Sequence, residues 1–107
     1  MISVILDECL LKRLSNYLIE DFEVTTVPQA GFAGYKNGKR LAAIKGEYDV
    51  FVTIDSNLEY QQNLSGTEIG IIVVRADSNR LESLLPKVPA LLQAIDQVKP
   101  GEIQCVS

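Results

Sequence analysis

The sequence predicts an α/β fold: a mostly parallel central sheet with helices on both faces, making three layers. Two observations carry most of the prediction. Short, largely apolar segments rich in β-branched residues recur at 2–6 (ISVIL), 49–54 (DVFVTI) and 70–74 (GIIVV). Strands without polar alternation are buried on both sides, as parallel strands are. Segments with leucines at helical spacing alternate with them, which is the pattern of crossover units rather than of a sandwich or a bundle. Right-handed crossovers then put every strand's carboxyl end at one edge of the sheet.

Element by element, 2–6 is the first strand, stopped by Asp7 and Glu8. Leu10, Leu11, Leu14, Tyr17 and Leu18 recur as one face of an amphipathic helix over roughly 9–20. Residues 23–27 (EVTTV) are the second strand, ended by Pro28. The stretch QAGFAGYKNGKR holds three glycines and begins as a loop; Leu41, Ala42 and Ile44 then start a short helix closing near Gly46. Residues 49–54 are the third strand, ending at Asp55, and 57–64 form a polar turn or short helix. The fourth strand, 70–74, is the most apolar. Residues 79–98 read as helix, with Leu81, Leu84, Leu85, Val88, Leu91, Leu92 and Ile95 as its buried stripe. Pro86 and Pro89 split or kink that helix, and Asn79 with Glu82 resembles a capping box at its start. Residues 102–106 are a short last strand at a sheet edge. With strands one and three as neighbours the order is 2-1-3-4, the short fifth strand lying at an edge.

The composition narrows the chemistry. Of 107 residues, 47% are apolar and 22% charged, as in a globular chain, and the length favours a single domain over 1–107. Net charge is −4 and the pI about 4.7. Nucleic acid would therefore be held by a local basic patch or a bound metal, not by a net positive field. There is no histidine, which excludes Ser-His-Asp and Cys-His hydrolysis and His-ligated zinc. Cys9 and Cys105 form no C-x-x-C pair and read as buried small hydrophobes of a reduced, cytoplasmic protein. The start, MISVILDE, lacks the basic region of a signal peptide, and no apolar run approaches the roughly 20 residues of a membrane span.

Asp7 and Glu8 after the first strand and Asp55 after the third project at the same edge, where open parallel sheets bind ligands. Carboxylates converging without histidine suit Mg²⁺ or Mn²⁺, which take oxygen ligands. Each acid also has a local role open to it: Asp7 as cap of the helix near Leu10, Asp55 as cap of the turn at Asn57. Acids at corresponding ends of two strands favour a shared site.

The segments VILDECL, VFVTIDSNL and GIIVVRADSNRLESL, followed by a proline-containing leucine-rich helix, resemble a compact stand-alone group of PIN-like domains over essentially the whole chain. The L-D-E after strand one and the T-x-D-x-N after strand three are the most specific parts. The resemblance implies a Mg²⁺- or Mn²⁺-dependent endoribonuclease, possible toxin of a toxin–antitoxin pair, with Asp7, Asp55 and Glu8 as catalytic and metal-binding carboxylates. PIN-like domains usually carry a further acid on the helix before the third strand. Here that stretch reads KNGKRLAAIKGEYD, with no acid before Glu47. Either Glu8 fills the gap, or the chain is a catalytically degenerate module binding RNA or a partner protein.

Lys36, Lys39, Arg40 and Lys45 form a basic cluster beside Tyr35, suited to an RNA backbone or to a solvated helix face. Asn57 begins an amide-rich stretch that either contacts substrate or makes a turn. Arg75, after strand four, either binds phosphate or pairs with a nearby acid. The leucine-rich segment has more apolar positions than one sheet face needs, so part of it, or the first helix, is expected to bury against a second copy or an antitoxin. A receiver-like reading with a phosphorylatable aspartate fits less well, because the chain is short for that fold and no lysine ends EIQCVS.

Overall fold

The computed structural model of the chain describes residues 2–7, 12–18, 22–31, 47–54, 69–76 and 80–106. Within them, β1 (Ser3–Leu6), β2 (Glu23–Thr26), β3 (Val50–Thr53), β4 (Gly70–Val74) and β5 (Ile103–Val106) form one sheet of order β2-β1-β3-β4-β5. Every neighbouring pair is parallel. The expected order and the edge position of the last strand are both met. Leu6 pairs with Val52, and Val52 with Ile72, so the carboxyl ends of β1, β3 and β4 come out nearly level.

Strand alternation divides the apolar residues between two faces. On one, Val4, Leu6, Val50, Val52, Ile72, Val74 and Val106 pack with Leu14, Leu18 and Phe22 and with Leu84, Leu91, Ala94 and Ile95. These come from a 3-10 helix over Lys12–Tyr17 and its exit, from α2 (Leu81–Leu84) and from α3 (Val88–Gln97). On the other, Ile5, Phe51, Ile71 and Val73 pack with Ile69 and with Val27 of α1 (Val27–Ala30). Phe51 and Ile5 are fully buried, and each such side chain stabilises by roughly 1.5–3 kcal/mol. Among the described residues, the 3-10 helix, α2 and α3 thus lie on the first face and α1 on the second. The short helix expected from Leu41 and the turn expected over 57–64 lie outside the described residues.

Four local expectations are corrected. The first helix is a 3-10 helix where described: the Leu18 N–H donates to the Ser15 carbonyl, three residues back, at 2.9 Å. Ser15, Asn16 and Tyr17 are indifferent helix formers; Leu14 and Leu18 still reach the core, whereas Tyr17, expected on the same face, is exposed, and Leu10 and Leu11 lie outside the described residues. The second strand stops at Thr26, because Thr26 caps α1. The Gln29 N–H donates to Thr26 Oγ1 at 3.3 Å and the Thr26 N–H to Gln29 Oε1 at 3.1 Å, a reciprocal capping box. Pro28, expected to end the strand, sits in that first turn, where its missing N–H costs nothing. The long helix is split at Pro86 as expected, into α2, a 3-10 turn over Leu85–Lys87, and α3. The tighter turn shifts the angular phase, which takes Leu85 out of the buried stripe to 36% exposure. Cys105, read as buried, is exposed on β5; Cys9 lies outside the described residues.

Candidate active site

β1 lies between β2 and β3, so the chain leaves β1 at the point where the strand order reverses. Crevices in open parallel sheets form at that place. The Asp7 N–H donates to the Val52 carbonyl at 2.9 Å, which carries the β1–β3 ladder one residue past the strand and fixes Asp7 beside Thr53. The Thr53 hydroxyl donates to Asp7 Oδ2 at 2.6 Å. Asp7 is 3% exposed and Thr53 0%. Burying a carboxyl group is costly unless its oxygens accept hydrogen bonds, and this bond is at the short end of the O–H···O range. The β-branched threonine at the strand end has few side-chain rotamers, so it holds the carboxyl in one orientation.

Asp7 supplies hard oxygen donors of the kind Mg²⁺ and Mn²⁺ accept. The donor type therefore fits a divalent cation. Among the described residues, no three Cys, Asp or Glu side chains come together as a metal-holding group. Glu8 and Asp55, the other expected carboxylates, lie outside the described residues, as do Lys36, Lys39, Arg40 and Asn57.

Arg75 is described and exposed. It follows β4 directly, at the same edge as Asp7, and its N–H donates to the Val106 carbonyl at 2.7 Å. With Ser83 and Lys87 it lines a cleft of about 510 Å³. β3 separates β1 from β4, so this cleft begins two strand spacings from Asp7, about 10 Å across the sheet.

Sequence reasoning did not anticipate Thr53 as the partner of Asp7, although Thr53 opens the T-x-D-x-N motif. The signal lay in topology: once β1 and β3 are neighbours, the residue after Leu6 meets the residue after Val52. At the opposite edge, polar groups are used on strand starts. The Ser3 N–H donates to Asp49 Oδ2 at 2.9 Å and the Ser3 hydroxyl to Glu23 Oε2 at 3.2 Å. No helix among the described residues is long and apolar enough to cross a membrane. No protein-family model, curated protein or solved structure matches the chain.

Proposed function

We propose that the chain is a PIN-like, divalent-metal-dependent endoribonuclease acting in the cytoplasm, the toxin of a toxin–antitoxin pair. The observation that carries this reading is the buried Asp7 carboxyl, held by Thr53 at the point where the order of a parallel sheet reverses. Asp7, with Glu8 and Asp55, would hold Mg²⁺ or Mn²⁺. When bound, such an ion lowers the pKa of a coordinated water and offsets charge on a phosphodiester. Thr53 keeps the Asp7 carboxyl from rotating away from that position. Arg75, with its planar fork of donors, binds phosphate oxygens of the RNA at the same edge.

The test is cleavage of structured and unstructured RNA with Mg²⁺, with Mn²⁺ and with chelator. The wild type is expected to cut only with metal. Asp7→Asn is expected to be slower by roughly 100-fold or more, equivalent to about 2.7 kcal/mol of transition-state stabilisation. RNA that is bound but stays intact with either metal would instead assign the chain as a catalytically degenerate binding module.

A further inference from the structure

The geometry points to the cleft of Arg75, Ser83 and Lys87 as a second phosphate subsite, one that grips single-stranded RNA some nucleotides away from the Asp7 edge. The inference rests on the ribonuclease reading for its ligand, and on the cleft itself for its place.

Three observations carry it. The first is shape: a cleft of about 510 Å³ falls within the roughly 300–1,000 Å³ that small ligands occupy, and a nucleotide's phosphate and sugar are of that order. The second is chemistry. Among the described residues, the lining holds a guanidinium, an ammonium and a hydroxyl, with one carboxylate, Glu82. Glu82 Oε1 also lies 3.7 Å from Arg80 Nη1, outside the lining, in a pair exposed to solvent on both sides. Over 75–87 the sequence holds three cations, Arg75, Arg80 and Lys87, and two acids, Asp77 and Glu82, a local excess of positive charge in a chain of net −4. Lys87 is half-buried, which restricts its stem while its head stays polar, and it follows Pro86 in a short 3-10 turn.

The third is position. Val73 pairs with Thr53, the partner of Asp7, and Arg75 lies two residues further along the chain. Two strand spacings and two residues of rise separate the two sites by about 12 Å. Single-strand grooves track about 4–16 nucleotides, so one RNA strand running along the carboxyl edge meets both. The cleft would then set which phosphodiester reaches Asp7, measured from the phosphate it holds.

The experiment is fluorescence anisotropy of a labelled 12-nucleotide single-stranded RNA, with chelator, across 50–200 mM KCl. Proteins compared are wild type, Arg75→Gln/Lys87→Gln, Lys87→Gln, Glu82→Gln, Lys99→Gln and Asp7→Asn. The double variant is expected to bind at least tenfold more weakly. Its salt slope should be shallower by about 0.7 for each phosphate that it no longer neutralises. Glu82→Gln should bind more tightly, a gain that a folding defect cannot produce. Lys99→Gln, which removes an exposed charge in the turn before β5 at the opposite edge, should bind as wild type does. Equal weakening in Lys87→Gln and Lys99→Gln, an unchanged slope in the double variant, or no RNA binding by the wild type would each overturn the subsite. Asp7→Asn separates the two readings: without metal it should bind RNA at least as tightly as wild type while losing cleavage. RNA bound through the cleft with no cleavage by the wild type in Mn²⁺ would sink the nuclease reading and leave the subsite standing.

Discussion

Thr53 is a fully buried side chain whose hydroxyl meets a nearly buried carboxyl at 2.6 Å. Replacing it by valine keeps the shape and removes the donor, leaving an Asp7 oxygen without that hydrogen bond. The cost of such a deletion is about 1–3 kcal/mol, so urea unfolding of Thr53→Val should show a lower midpoint with unchanged slope. If the hydroxyl also orients a metal ligand, calorimetry should show Mn²⁺ affinity falling about 10–100-fold, the usual cost of losing an outer-sphere partner. Thr53→Ser, which keeps the hydroxyl, should recover most of that affinity. A valine variant as stable as wild type and binding Mn²⁺ equally would reduce the contact to an incidental one. Residue by residue, the sequence was readable where one amino acid ends an element, as Asp7 does. It was not readable where the partner comes from a strand 46 positions away.

The apolar strands were legible because burial on both faces leaves a continuous run of apolar residues, and β4 has the boundaries read from GIIVV. α1 was not legible although its capping box is written in TVPQ, because a proline directly after a strand marks a stop as readily as a first helical turn. The 3-10 winding of the first helix has no counterpart in apolar spacing, which is the same for Leu14 and Leu18 in either winding. One packing detail between elements is sharp enough to test. A β-carbon added at Gly70 would lie 2.8 Å from Val98 Cγ1 and 3.3 Å from the Lys99 carbonyl, where the chain leaves α3 for β5. Gly70→Ala is therefore expected to destabilise by about 1–3 kcal/mol through overpacking. Val98→Ala in the same chain should recover part of that, giving a coupling energy of about 0.5–3 kcal/mol in a double-mutant cycle. Additive effects would mean that the α3–β5 connection shifts to make room, and that β4 is not held by it.

For the molecule as a whole, the radius of gyration over Cα atoms is 12.3 Å, close to the roughly 13 Å expected of one domain of this length. Tyr17 and Leu85 are the large apolar side chains exposed among the described residues. Two side chains are few beside the roughly 20–30 residues each partner brings to a stable interface, so the expected second copy or antitoxin gains little support from them. Charge has the larger consequence. A chain of net −4 repels RNA at long range, and if it binds RNA the opposing charge has to come from local cations and from metal held by carboxylates. Each ligand then offsets charge that the other must approach, and linkage requires the effect to be reciprocal. Saturating Mn²⁺ should tighten RNA binding about fivefold or more, and RNA should tighten Mn²⁺ binding by the same factor. Asp7→Asn should abolish both effects. Lys36→Gln/Lys39→Gln/Arg40→Gln should weaken RNA binding and flatten its salt dependence while leaving Mn²⁺ binding in the absence of RNA unchanged or slightly stronger. The measurements are RNA anisotropy at fixed Mn²⁺ and Mn²⁺ calorimetry at fixed RNA. If Mn²⁺ tightens RNA binding as much in Asp7→Asn as in wild type, the ion acts on the polyanion alone, and the carboxyl edge of the sheet has no part in joining the two.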